Sequence, residues 1–152
     1  MENTRRERIN IENKDIRKLL FMNLSGAEDE FHKGGQTPNF YVVLTREKAE
    51  ELSRMGFNIK EKEDRDGDIE YRLQVFARYD LFPPKIFMVT STGRTLLDEM
   101  TVKELDYADI AECDIVINPY YWTVNDNTGI KAYIDRAYFK VMEDAFASKY
   151  AD

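Results

Sequence analysis

The sequence predicts a mainly β protein, a small Greek-key barrel with two short helices, and three observations lead there. Apolar residues gather in strand-length runs punctuated by glycines and prolines. The two stretches with helical spacing are too short and too few for the repeated crossovers of a doubly wound α/β sheet. The last third of the chain reads as two long β runs, and in the second the apolar phase slips by one residue. A β-bulge produces such a slip and bends a strand round the corner of a small barrel. A length of 152 residues fits one domain with a real core.

Residues 1–15 are polar and densely charged and predict a flexible arm; a domain over residues 16–143 and a tail over residues 144–152 follow. Leu19–Leu24 gives the first strand, and Ser25–Pro38 a polar loop holding His32 and Lys33. Phe40–Leu44, aromatic and β-branched, suits a buried strand. Thr45 then caps a short helix that places Ala49, Leu52 and Met55 on one side, and Gly56 ends it at the C′ position. Glu61–Glu70 carries six acids against two bases around Asp66-Gly67, which predicts an exposed hairpin turn between Phe57–Lys60 and Ile69–Tyr79.

In the Ile69–Tyr79 strand, Ile69, Tyr71, Leu73, Val75 and Ala77 point to the core, while Glu70, Arg72, Gln74, Phe76 and Arg78 point to water. Pro83-Pro84 precedes a strand at Lys85–Thr90 and a polar turn at Ser91–Arg94. Thr101 and Glu104 have capping-box spacing and predict a helix from Thr101 to about Ile110. Asp114–Val124 and Ile130–Val141 form a long hairpin across the five-residue loop Asn125–Gly129. Its second strand runs Ile130, Ala132, Ile134 and then Ala137, Phe139, Val141, so the bulge falls at Asp135-Arg136. The OB-fold leads this class of small barrels, and its strands and loops often bind oligonucleotides.

With 29 Asp+Glu against 22 Lys+Arg, the net charge of -7 argues against a protein that coats duplex DNA with a uniformly basic surface, while leaving room for a local basic groove. One cysteine, Cys113, and one histidine, His32, allow neither an internal disulfide nor a structural zinc set. No run of about 18 apolar residues predicts a membrane helix, and the charged N-terminus lacks the apolar core of an export signal. The expected compartment is therefore intracellular, the cytoplasm.

The bulge places Lys131, Tyr133, Arg136, Tyr138 and Lys140 on one face of the last strand, cations interleaved with aromatics. Such a face stacks bases of any sequence and tracks phosphates. The same pattern of residues also serves an ordinary solvated strand. Arg72, Gln74, Phe76 and Arg78 repeat the theme, with Phe76 also suited to packing under a helix or at a dimer contact. Tyr120-Tyr121-Trp122 puts aromatics on both faces of its strand; one of Tyr121 and Trp122 is expected in the core, and Trp122 is taken as the platform. Arg94, in the turn Ser91–Thr95, sits in a loop that would flank the groove.

Enzyme motifs are missing: the sequence has no P-loop, dinucleotide fingerprint or nucleophile elbow, and His32 reads as a surface side chain. The acids Asp98, Glu99, Glu104, Asp106, Asp109, Glu112 and Asp114 could build a magnesium site, yet acidic runs are ordinarily solvated. The reading is a non-enzyme with no catalytic residue, metal or cofactor.

Asn39–Leu44 with its short helix, Pro83-Pro84-Lys85-Ile86 followed by Thr90–Gly93, and Asn118-Pro119-Tyr120 to Trp122 with Gly129–Tyr133 resemble a family of bacteriophage single-stranded DNA-binding proteins with an OB-like fold. The resemblance spans Ile16 to Glu143. It implies sequence-nonspecific binding of single-stranded DNA in replication or recombination, replication or recombination proteins and a homo-oligomer as further partners, no membrane, and action in the infected bacterial host. Many replicative single-strand binders end in an acidic tail with a terminal aromatic. Here Glu143–Phe146 is followed by Lys149 and Tyr150, a departure from that pattern. The rival readings are a protein-interaction module, such as a phage inhibitor of a host defence whose acidic surface mimics nucleic acid, and a metal-dependent nuclease.

Overall fold

The structure, a computed structural model, describes residues 7–27, 35–81 and 83–143; His32, Lys33 and the tail at 144–152 lie outside them. Among the described residues nine strands share one sheet: β1 (Ile9–Ile11), β2 (Ile16–Asn23), β3 (Asn39–Leu44), β4 (Lys60–Glu63), β5 (Ile69–Phe76), β6 (Lys85–Thr90), β7 (Gly93–Leu97), β8 (Ile110–Val124) and β9 (Asn127–Val141). The hydrogen-bonded path runs β1-β8-β9-β5-β3-β2, with β4 on β5, β6 on β9 and β7 on β6. Its end strands β1 and β2 do not pair with each other, so the predicted barrel is an unclosed sheet wrapped round one core.

Strand β9 organises the sheet. One edge pairs antiparallel with β8; the other takes the end of β5 in parallel, Phe76 opposite Tyr133, and then β6 in parallel, Ile86 opposite Ala137. Ile117 faces Ile134 and Val116 faces Arg136, which leaves Asp135 as the extra residue of a bulge where the apolar phase predicts one. Ala132 and Ile134 before it, and Ala137 and Phe139 after it, are all buried. Arg8 holds the Asp135 carboxylate at 3.2 Å.

Helix α1 (Arg46–Met55) begins where the Thr45 side chain accepts from the Lys48 amide. It ends at Gly56, whose φ of 108° is a left-handed conformation that glycine adopts without strain. Ala49 and Leu52 are buried, whereas Met55 is 45% exposed. The centre of the core is aromatic, with Phe40 of β3 edge-on to Phe139 of β9 at 5.7 Å. Cys113 is buried, and burial pushes its thiol pKa up, so it is a packing residue.

Four predictions from sequence are corrected. The arm ends early, because Ile9–Ile11 pairs with Ile115–Ile117 of β8 and Ile11 is fully buried. The second helix, α2, is only Lys103–Asp106: Asp98 and Thr101 exchange backbone and side-chain hydrogen bonds upstream and form a turn in place of a capping box. The long hairpin closes through two residues, Asn125 and Asp126, both at positive φ as a type I′ turn requires, so its strands are longer than predicted. The predicted polar turn Ser91–Arg94 is confined to Ser91 and Thr92, and Gly93 and Arg94 already begin β7, paired with β6.

Deletion of Asp135, the unpaired extra residue, should keep the cooperative unfolding transition in thermal circular dichroism, because Ile134, Arg136, Ala137, Tyr138 and Phe139 then alternate regularly on the faces they already occupy. Asp135→Asn, which keeps the bulge, should retain the transition within about 1 kcal/mol.

Candidate nucleic-acid interface

Alternation in β5 and β9 sends one set of side chains to the core and the other to a shared outer face. On that face the aromatics form three groups, each with cations. In the first, Phe76 and Tyr133, opposite each other in register, have centroids 6.2 Å apart; Tyr120 lies edge-on to Tyr133 at 5.7 Å, and the Lys131 ammonium is 5.0 Å from the Phe76 centroid. In the second, Phe87 of β6 stacks on Tyr138 of β9 at 5.0 Å and an 8° interplanar angle. The Arg94 guanidinium lies over both, 5.1 Å from Phe87 and 5.8 Å from Tyr138, and Arg136 donates to the Tyr138 hydroxyl at 3.4 Å. In the third, Phe21 is edge-on to Tyr41 at 5.9 Å, with Arg72 5.7 Å from Phe21 and Lys60 bonded to the Tyr41 hydroxyl at 3.2 Å.

Each cation–ring pair contributes about 0.5–2 kcal/mol and holds positive charge beside an apolar face. The predicted cations divide by what else they touch. Arg94 and Lys131 are exposed and make no ion pair with a carboxylate among the described residues. Lys140 reaches Glu112 at 3.5 Å, and Arg78 holds Asp80 through two bonds of 3.0 and 3.1 Å. That bond keeps the Asp80 carboxyl below its usual pKa. Arg72 is tied to Glu70 at 2.7 Å, and Lys18 binds the same carboxylate at 2.6 Å. Glu70, expected in water, is therefore nearly buried between two cations.

Two predicted residues stand differently from expectation. Tyr133 is only 6% exposed, wedged between Phe76 and Tyr120, so it supports the surface from beneath and offers no free stacking face. Of Tyr121 and Trp122 neither belongs to the core: Tyr121 is 48% exposed, and Trp122 is half-buried with its indole against Gly129. The hairpin tip extends past the core, whose buried apolar cluster takes only Cys113, Ile115 and Ile117 from β8 among the described residues.

Sequence reading missed Phe21, Tyr41 and Phe87 as surface aromatics. Phe87 follows the same alternation as Tyr138, its partner in register, and could have been found from it. Phe21 could not: between Leu20 and Asn23 the β2–β3 register shifts, and Phe21 adopts a φ of 55° with its ring 66% exposed. A positive φ on a bulky residue costs on the order of 1–3 kcal/mol. The bulge re-aims this ring onto the outer face.

Three of the acids weighed for a magnesium site accept backbone amides. Asp106 accepts from the Leu24 and Ser25 amides and the Ser25 hydroxyl, Asp114 from the Asn13 amide, and Asp98 from the Thr101 and Met100 amides. Among the described residues no three His, Cys, Asp or Glu side chains converge as a metal site would require.

The family model of a phage ssDNA-binding domain matches residues 1–152. The chain belongs to this family. Two solved structures of the single-stranded DNA-binding protein from bacteriophage Enc34 are similar to this domain. One, a C-terminal truncation, has a TM-score of 0.57 at 9% identity over 90% of this chain and 87% of that one. The other, in complex with ssDNA, has a TM-score of 0.57 at 10% identity over 91% and 89%. None of the curated proteins matches. The neighbours place the unclosed sheet of this phage ssDNA-binding domain in the OB-like type. No helix among the described residues is long and apolar enough to cross a membrane.

Two outcomes check this account of the surface. Tyr133→Ala should destabilise the domain by about 3 kcal/mol or more, as truncation of a buried aromatic does, while Tyr120→Ala, at a ring 45% exposed, should cost far less; urea titration distinguishes them. Lys18 first and Arg72 second hold the Glu70 carboxyl below its ordinary value of 4.5. A depressed folded-state pKa adds stability that is complete above the unfolded value and lost as pH falls through the folded one. Glu70→Gln should therefore be less stable than wild type at pH 7, with the gap narrowing below about pH 4.5 in parallel urea titrations.

Proposed function

We propose that the domain binds single-stranded DNA with little regard to sequence, through the outer face of β5, β6 and β9, and serves replication or recombination inside the infected cell without catalysing a reaction. The observation that carries this reading is the Phe87–Tyr138 stack under Arg94, an aromatic surface joined to a cation that no carboxylate among the described residues neutralises. Phe76 with Lys131 repeats that combination on the same face. Stacking on a ring contributes about 1–3 kcal/mol per base and tolerates any base, since each has a π face. The exposed Phe21, held at positive φ, extends the surface across β2 and β3. That a solved protein of this fold is in complex with ssDNA adds support.

Duplex hides its base faces, and a net charge of -7 works against binding by backbone neutralisation alone, so the selectivity for single strands comes from the rings.

Fluorescence anisotropy of labelled oligonucleotides over a salt series should show single strands bound more tightly than duplex of equal length. The log–log salt slope should be about -2 to -3.5, for three to five phosphates neutralised. Phe87→Ala should lose about 1–3 kcal/mol at unchanged slope, and Arg94→Ala should shift the slope by about 0.7. Equal affinity for duplex and single strand, or a flat salt response, would overturn the proposal.

A further inference from the structure

Along one edge of β5, Arg72 has Lys60 of β4 as its partner and Val75 has Ala132 of β9. Between them Leu73 and Gln74 have no strand partner on that edge among the described residues, and a groove of about 520 Å³ opens there. This volume suits a small organic ligand. We propose, resting on the single-strand reading above, that the groove is a pocket for one unpaired nucleobase, with Trp122 as the wall against which the base lies.

Three observations carry the assignment. The indole of Trp122 is held in place by the backbone of β9: a Cβ at Gly129 would come within 2.5 Å of Trp122 Cζ2, so only glycine there lets the ring lie where it does. Phe76 lines the groove with Trp122, and Lys60 and Lys131 stand at β4 and β9 on its two sides. Those cations match the phosphates flanking an inserted base. Polar groups for the edge of a base come from Asn58, Gln74 and the strand edge of β5 that no ladder covers. Gln74 already donates to Asn39 at 3.1 Å, which fixes its amide. An apolar ring face, a polar edge and a nearby anion are the chemistry of a nucleotide. A base in duplex would have to leave its stack to enter, at a cost of a few kcal/mol, whereas an unpaired base enters freely.

Trp122 is the sole tryptophan of the chain, so its emission reports on the pocket directly. The full chain is titrated with oligo(dT) of about 15 nucleotides and with an abasic deoxyribose-phosphate chain of the same length, followed by both anisotropy and tryptophan emission. Oligo(dT) should quench Trp122 and the abasic chain should not. Thr128→Tyr, which fills the groove from an exposed position of β9, should weaken oligo(dT) binding about 5- to 150-fold, as loss of one stacked base does, and leave the abasic chain unaffected. Should that variant fail to fold by circular dichroism, Asn58→Tyr blocks the same groove from the loop opposite. Oligo(dT) binding by anisotropy with unchanged emission, and with the blocked variant equal to wild type, would overturn the pocket and leave single-strand binding intact. Failure of the wild type to bind any single strand would overturn the reading on which it rests.

Discussion

One bulge in one strand, which takes Asp135 out of the ladder, holds this surface together. Strand β9 is the only element that touches both halves of the outer face among the described strands, with β5 against its first part and β6 against its second. Side chains in a strand alternate with a period of two, so five residues from Tyr133 to Tyr138 would leave the two on opposite faces. The bulge at Asp135 restores the phase: Tyr133 and Tyr138 both face outward while Ile134 and Phe139 both face the core. The interface and the core thus depend on the same slip, and neither can be lost without the other.

A strongly acidic chain can still carry a cationic face because its carboxylates have other tasks. Asp98, Asp106 and Asp114 accept backbone amides and fasten turns and loops to the sheet. Glu70 and Asp80 immobilise Arg72 and Arg78, which thereby act as girders beside the rings more than as free phosphate ligands. Among the described residues, positive charge unpaired by carboxylate remains at Arg94 and Lys131, both laid over aromatic rings. A count of charges in the sequence could not separate these roles, since the pairing of Arg72 or Arg78 with an acid two residues away along the strand looks no different from solvated neighbours.

What the sequence made legible follows from periodicity and local chemistry. Thr45 and Gly56 bracket α1, and the apolar slip locates the bulge to the pair Asp135-Arg136, of which Asp135 is the unpaired residue. Gathering the outward residues of β5 and β9 brought Phe76, Lys131, Tyr133, Arg136 and Tyr138 onto one face. What stayed hidden required knowledge of which strands are neighbours. Parallel pairing of β5 and β6 with β9 sets Phe87 on Tyr138, and no local pattern announces a parallel partner about 50 residues away. Likewise the burial of Tyr133 arises from rings on two other strands. The strand β1 was obscured because Ile9-Asn10-Ile11 is too short to stand out of a charged segment.

Placing β5 and β6 end to end along one edge of β9 also spaces the aromatic groups. At about 3.3 Å per residue, Tyr133 and Tyr138 stand roughly 13–16 Å apart, several times the separation of stacked bases. Rings at that distance cannot grip successive bases, so on the proposed reading a strand touches one group, crosses a stretch of sheet with no aromatic partner, and reaches the next. Bases in the crossing carry no stacking requirement, and those at the rings meet a π face that accepts all of them. Tolerance of sequence then follows from spacing as much as from the chemistry of any one contact. The unclosed edge of β5 at Leu73-Gln74 interrupts this pattern, because there a backbone edge and two side-chain amides replace the bare ring. Any preference among bases therefore arises at that groove, where hydrogen bonds can tell one base edge from another.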